Sequence, residues 1–448
     1  MYILALMWAF LHEDDPKIHD RQPPVVAPPY RASIDGPYEG VPFEALRVTL
    51  MSWLPLGEFG SHASGNDCWG YTSPSGREYA IIGLEQGTSF VEVTDPGNAQ
   101  IVRSHIGPTS LWRDIKVYQH YAYAVSEGGM GIQIFDMSAI DQGTVTYVGN
   151  VDDWASPNTH NVAIDIQSGF LYRCGGGGWG LRIYSLANPA NPVLVGNWNL
   201  RYVHDAQVVT YLEGPYAGRQ IAFCNAGLNN GWALTGLTIL DVTHKSAPQQ
   251  LAHLQYPSPG YSHQGWLSPD RNFFYLNDET DESSYGMTTT TRIIQVTDLQ
   301  QPVVVGSYTN GNTAIDHNLY TKDDLLFLSN YRSGLRVYRS DGSGGLTEVA
   351  YFDTYPGSDS ANYNGLWSNY PYFESGTVIG SDLERGLFVW QLDLAPPFGD
   401  LNGDFIVDMT DLMLGVAGWW SCPEPCQGDL NHSAQTDMID LVTLANLL

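Results

Sequence analysis

The chain has 448 residues, 43% of them hydrophobic and 12% aromatic, which is ample for a large core and for more than one domain. Only 20 basic residues stand against 48 acidic ones, and the resulting net charge of −28 repels nucleic acid while suiting solubility and cation binding. No run of about 20 apolar residues exists, so no membrane span is expected; 47 Gly and 26 Pro with 15% charged residues point instead to a loop-rich all-β protein.

The opening stretch, MYILALMWAFLHEDDP, is apolar for about ten residues but lacks a basic leading region and a small-residue cleavage site. It reads either as the remnant of a secretory signal or as an apolar arm. Residues 1–42 form this start and a Pro-rich leader, with PPVVAPPY at 23–30, which reads as extended rather than packed.

From residue 43 to 394 one phrase recurs seven times, a short apolar strand ending in Asp, Ser or Thr. The copies are FVEVTDP from Phe90, IQIFDMS from Ile132, LRIYSLANP from Leu181, LTILDVT from Leu237, RIIQVTDL from Arg292, LRVYRSD from Leu335 and LFVWQLD from Leu387. Starts 42 to 56 residues apart mark a repeat whose units cannot bury their faces alone. Alternation and turn signals give four strands per unit, as in HNVAID, GFLYRCG, LRIYSL and PVLVGNW between His160 and Trp198. The seventh unit lacks a fourth strand and runs into the hinge APPFGD, 395–400, whereas RVTLMSWL, 47–54, precedes the first unit without a partner. The expected fold is all-β, a seven-bladed β-propeller over 43–394 closed by this early strand, which removes unprotected edges.

Aligning the first strands singles out one position, occupied by Asn66, Arg113, His160, His204, His263, His317 and Asn364. The next position is mostly polar too, with Asp67, Asp114, Asn161, Asp205, Gln264 and Asn318. A propeller's first strand lines the central channel, so these residues are expected at one mouth. The antiparallel second strand would return Glu85, Glu127, Asp278, Glu279 and Asp382 to that mouth. Imidazoles with carboxylates suit a divalent transition metal such as Zn²⁺, Mn²⁺ or Fe²⁺, and supply acid–base groups near neutral pH. A repeated His or Asp at a strand start serves equally to hydrogen-bond the backbone of the neighbouring blade. No Ser-His-Asp order, phosphate loop or nucleophile elbow is present, so no catalytic residue is assigned and the balance leans away from an enzyme. NDETDESSYG, 277–286, reads as a solvated acidic loop in preference to a calcium site. Of five Cys, Cys422 and Cys426 flank Pro-Glu-Pro and can close a small loop. Cys174 and Cys224 occupy equivalent places in adjacent repeats, which leaves bridge or free thiols open.

The tail, 395–448, changes character. DLNGDFIVDMTD places Asp400, Asn402, Asp404, Asp408 and Asp411 at loop positions 1, 3, 5, 9 and 12, with Ile406 offering its carbonyl at position 7. These offsets suit the oxygen shell of Ca²⁺. DLNHSAQTDMID repeats them with Asp429, Asn431, Ser433, Gln435, Asp437 and Asp440, and Ser433 in place of a carboxylate predicts a weaker site. Apolar helical runs, LMLGVAGWW and LVTLANLL, follow the loops.

The duplicated tail segment resembles a dockerin type I domain. The resemblance implies Ca²⁺ in both loops and docking onto a cohesin-like module or another surface protein, with Met409, Thr410, Met438 and Ile439 at partner-recognition positions. The repeats, through WRDIKVY, THNVAI, HDAQ, YSHQGWLSPD, DHNLY, NYRSGLRVY, YFDTYP and SDLERGLFV, resemble the LVIVD-repeat, choice-of-anchor B family of secreted bacterial proteins. That resemblance implies a β-propeller joined to a surface-sorting tail, outside the cell. The expected function is therefore binding, of a glycan or small molecule at the propeller and of a protein at the tail. The alternatives are a metal-dependent hydrolase of a glycan, ester or phosphate, and a structural scaffold.

Overall fold

The computed structural model describes residues 15–448 apart from 153–155, 178, 227–234, 402–404, 406, 418–427, 434 and 448. The apolar start, the ligand candidates Asn402, Asp404 and Ile406, and the Cys422 and Cys426 pair lie outside the described residues. The chain divides into two compact units, Met1–Leu392 and Asp393–Leu448.

The first unit is a seven-bladed β-propeller of antiparallel sheets. Blade 3 is typical, with Asn161–Asp165, Phe170–Cys174, Leu181–Ser185 and Val193–Trp198 pairing in chain order. Leu181–Tyr184 is buried on both faces because each sheet packs between two others, so the repeated phrase reads as a continuous apolar run. The phrase forms the third strand of every blade, and its terminal Asp or Ser has a mechanical reason. Asp136 accepts from Ser138 N at 2.8 Å, Asp241 from Thr243 N at 3.0 Å and Ser185 from Ala187 N at 3.2 Å. Each side chain folds back on its own backbone and turns the chain toward the outer strand.

The innermost strands stand side by side around the channel, and Leu366–Tyr370 of blade 7 returns to Gly65–Thr72 of blade 1. The ring closes as expected. Val48–Leu54 pairs antiparallel with Gly386–Leu392 and supplies the missing outer strand of blade 7. Trp53 lies opposite Phe388 in that register, its ring stacked at 5.6 Å, and its Nε1 donates to Arg385 O at 2.7 Å.

The leader departs from the sequence reading. Pro16–His19 is a helical turn capped by Asp15, and its Lys17 is buried. Tyr30–Arg31 adds a strand outside Val48–Leu54 in blade 7, and Ala45–Leu46 adds one to blade 6. The cause lies in aromatic residues among the prolines. Tyr38 meets Tyr30 at 4.9 Å, and Phe43 meets Phe352 at 5.1 Å and Trp53 at 5.7 Å. Burying those rings holds down a segment that proline content alone marks as free. Cys174 and Cys224 are free, buried thiols in one apolar cluster between blades 3 and 4.

In the second unit Met409–Ala417 and Met438–Ala445 pack against each other, with Leu444 buried.

Trp53→Ala removes the stacked ring and the indole hydrogen bond at the closing strand. The expected loss is about 3–5 kcal/mol, the usual scale for a buried Trp, read from the denaturant midpoint. An unchanged midpoint would show that the early strand does not secure the ring.

Candidate functional site

Four innermost strands break register where they meet the channel: between Gly65 and Cys68, Val203 and Ala206, Ser262 and Gln264, and Leu366 and Ser368. A bulge of this kind re-aims a side chain. Here it frees Asn66, His204 and His263 from the ladder. The outcome is a row of imidazoles from four consecutive blades. Ring centroids are 4.2 Å apart for His160 and His204, 4.1 Å for His204 and His263, and 4.1 Å for His263 and His317. All four are 5% exposed or less. With Trp112 and Trp367 they line a small polar depression whose cavity volume is about 10 Å³, room for roughly one water.

Each ring nitrogen has its own surroundings. His204 Nδ1 lies 2.9 Å from His263 O, and His317 Nδ1 lies 2.6 Å from Trp367 O. A carbonyl accepts only, so both Nδ1 atoms carry the proton and both Nε2 atoms keep their lone pairs when the rings are neutral. His160 Nδ1 lies 3.1 Å from Glu127 Oε1. Burial, aided by the neighbouring imidazoles and Lys17, holds His204, His263 and His317 well below the usual histidine range. The structural reading holds for His204 and His317, whose Nδ1 ties one blade to the next, and their Nε2 is left without a bond to the neighbouring blade's backbone.

Glu279 is the carboxylate that faces this row. Its oxygens lie 3.7 Å from His263 Nε2 and 3.6 Å from His317 Nε2, and ligand atoms of the three side chains fall within 4.8 Å of one another. Tyr331 donates its hydroxyl to Glu279 Oε1 at 2.7 Å. Lys17, from the leader, reaches the same oxygen at 2.7 Å. The ammonium also sits 5.2 Å from the Trp367 ring centre and 5.8 Å from that of Tyr363. Burial raises the Glu279 carboxyl above its usual range, and Lys17 opposes that rise.

Other expected residues take structural places. Asp278, next to Glu279 and pointing the opposite way, is spent on Tyr256 OH at 2.7 Å and the backbone N–H groups of Gly260 and Tyr261 at 2.9 and 2.5 Å. Asp382 accepts from the N–H groups of Glu384 and Arg385. Arg113 borders the cavity, but its guanidinium binds Leu84 O, Gln133 Oε1 and Pro108 O between blades 1 and 2. Glu85 accepts from Arg21 and from Ala63 N. Asp114 and Asp205 belong with Asp67 to a separate tier around Lys116. Lys116 Nζ lies 2.6 Å from Asp114 Oδ1, and Asp67, Asp114 and Asp205 all act on its charge. Each of these acids also binds the N–H of the next residue, Cys68, Ile115 or Ala206. Burial first, and the Asp114 charge second, push Asp67 up to about 7.

The acids of the stretch 277–286 are buried, and only its end, 283–286, is exposed. Asp281–Tyr285 is a helical turn with Asp281 and Glu282 buried. Asp281 pairs with Arg292 at 2.6 Å, and the Glu282 carboxyl lies buried beside Asp281. Composition predicted exposure, but the turn is folded under beside buried Asp316.

In the tail, Asp411 accepts from Leu401 N and Asp408 N, and Asp440 accepts from Leu430 N, Asn431 N and Asp437 N. Position 12 therefore ties down the start and the ninth position of its own loop in both copies. Asp400 and Asp429 at position 1 accept from Phe405 N and Ser433 N, and Ser433 also contacts Gln435 O. Phe405, at position 6, adopts a left-handed φ of 66°, where calcium loops of this offset turn on glycine.

No family model and no curated protein matches the chain. Among solved structures, the β-propeller domain of Cps50 (Swd1) from Myceliophteria thermophila is similar at 11% identity with a TM-score of 0.49, over 79% of this chain and 100% of that one.

The Glu282 carboxyl is raised well above its usual range by burial and then by Asp281. A carboxyl with a raised folded value loses stability as pH climbs from about 4.3 through that value. Glu282→Gln is therefore expected to raise the propeller melting temperature at pH 8 by about 2 °C or more, and to leave it unchanged at pH 4. Parallel melting curves for both chains across this range would contradict the assignment.

Proposed function

We propose that this chain is a secreted bacterial binding protein that offers the histidine-lined mouth of its propeller to a glycan or small molecule and is tethered outside the cell through its tail. One observation carries the reading. Four imidazoles from separate blades converge in one concave site with Glu127 and Glu279. Fixed polar groups between apolar walls are what recognition of a small ligand requires, and Trp112 and Trp367 supply the walls. The likeness of the repeats to the LVIVD-repeat, choice-of-anchor B family supports a surface location.

The tail reading rests on its dockerin-like pattern and on what its helices leave uncovered. Met409, Met413, Met438 and Ile439 are 62%, 70%, 61% and 62% exposed. Apolar side chains so placed on two helices fit a docking face for a cohesin-like or other surface protein. The carboxylates of Asp400, Asp408 and Asp429 would contribute to holding Ca²⁺, which would order both loops. A second reading, a metal-dependent hydrolase, is favoured by the approach of His263, Glu279 and His317 to within 4.8 Å. A metal there would supply Lewis-acid activation of water.

Two measurements test the main reading. In a panel of oligosaccharides and small metabolites, His204→Asn, which keeps a donor for His263 O, is expected to weaken capture roughly tenfold or more. Ligands bound equally well by both chains would place the site elsewhere. For the tail, Ca²⁺ added to the EGTA-treated full chain is expected to protect 393–448 from proteolysis and to increase helical circular dichroism. A flat response in both would remove the calcium-ordered tether.

A further inference from the structure

We propose that Lys17 is a tethered stand-in for a divalent transition-metal cation, and that withdrawal of the leader lets Glu279, His263 and His317 take up such an ion, of the Zn²⁺ class. This inference rests on the binding role proposed for the channel mouth and names what controls access to it.

The donor set comes first. Two imidazoles and one carboxylate, each able to offer a ligand atom within 4.8 Å of the others, suit a borderline ion better than oxygen-seeking Ca²⁺. The Nδ1–H of His317 is fixed on Trp367 O at 2.6 Å, which turns the bare Nε2 toward Glu279. A backbone carbonyl on the far nitrogen is the support that metal-bound histidines ordinarily have. His317 Nε2 has no hydrogen-bond partner, and neither has His263 Nδ1. A lone pair 3.6 Å from a carboxylate oxygen is repelled unless a cation or proton lies between them.

Lys17 fills the place of that cation. Its ammonium is 2.7 Å from Glu279 Oε1, and its side chain is 5% exposed. Two positive charges cannot share one carboxylate oxygen at this range, so ammonium and metal exclude each other. Removing Lys17 alone would leave Glu279 buried and unpaired, so the leader leaves readily only as another cation enters.

The leader is built to leave. Between the cap at Asp15 and the first strand at Tyr30 it is held by Ile18, packed against the cluster of Leu111, Trp112 and Trp367, and by polar contacts. Asp20 accepts from Tyr363 N and Asn364 Nδ2 at 2.7 Å each, Arg21 pairs with Glu85 at 3.0 Å, and Val25 N donates to Glu384 O at 2.8 Å. The strand Tyr30–Arg31 stays paired and keeps the segment tethered.

The test uses the full chain with Ca²⁺ present to fill the tail, titrated with Co²⁺ by visible absorption and with Zn²⁺ by calorimetry. Lys17→Ala is expected to bind about one ion at the propeller with roughly tenfold or more higher affinity than the parent chain. His317→Ala in that background is expected to abolish the Co²⁺ band. Glu279→Gln, nearly isosteric, is expected to do the same and serves where His317→Ala fails to fold. Equal affinities for the parent chain and Lys17→Ala, both folded by circular dichroism, would overturn the competition. A Co²⁺ band that survives Glu279→Gln would overturn the site. Ligand capture that needs His204 yet persists in EDTA would leave the binding role standing and sink the metal. Co²⁺ binding by Lys17→Ala with no ligand captured would support the metal while the binding role falls.

Discussion

The antiparallel pairing of Val48–Leu54 onto Gly386–Leu392 is the constraint on which the rest depends. Seven blades gain a common axis only if the last is held to the first part of the chain. Without that pairing the sheet of blade 7 would end at an open edge, and the junction of blade 7 with blade 1 would rest on side-chain packing and a few hydrogen bonds such as Gly65 N to Leu383 O at 2.9 Å. The bond also sets the position of everything before it. With Val48–Leu54 fixed, Tyr30–Arg31 can pair alongside, and a leader anchored at Tyr30 is long enough to carry Lys17 across the mouth. Closure of the ring and occlusion of the channel are thus two consequences of one N-terminal segment.

Much of this was legible in the residues. The repeated phrase marked the third strand of each blade because two-sided burial demands a continuous apolar run and the turn demands Asp, Ser or Thr. The surplus strand before the first unit and the deficit in the last defined the closure. The four histidines were found because duplication keeps equivalent positions equivalent. Two things escaped. Alternation along a strand end cannot say which of two adjacent acids faces the channel, and Asp278 faced its own blade while Glu279 faced the mouth. Lys17 had no local pattern to declare it, since its role comes from a contact with a residue more than two hundred and fifty positions away. Acidity suggested solvent at Asp281 and Glu282, but a buried Arg292 underneath made burial of the turn possible.

The channel separates its charges by depth. Lys116 sits among Asp67, Asp114 and Asp205, whereas Lys17 sits with Glu279 beside the imidazoles. One positive charge per tier limits the repulsion that buried carboxylates would otherwise impose. The origins of the two lysines differ. Lys116 lies within the innermost strand Arg113–Tyr118 of blade 2 and cannot leave without unfolding the blade. Lys17 lies on a helical turn outside every sheet. The deeper tier is accordingly part of the scaffold, and only the outer tier has a removable cation.

The same reasoning explains how one residue can tie two blades together and still present a nitrogen to the channel. A repeated histidine that only tied blades together would need one nitrogen, and serine or asparagine would do as well, as Asn66 does in blade 1 by donating to Leu111 O. What imidazole adds is a second nitrogen on the far side of a rigid ring. When Nδ1 is committed to the next blade's backbone, Nε2 is aimed by that commitment, and the bulges at His204 and His263 turn both rings inward. The structural bond is therefore what preorganises the site, and strengthening the ring and sharpening the pocket are the same act. In blade 1 the position carries Asn66, which donates to Leu111 O of the next blade, and in blade 7 Asn364, which donates to Asp20 O of the leader; neither has a second ring nitrogen, so imidazoles are confined to the arc from His160 to His317 over which Lys17 lies.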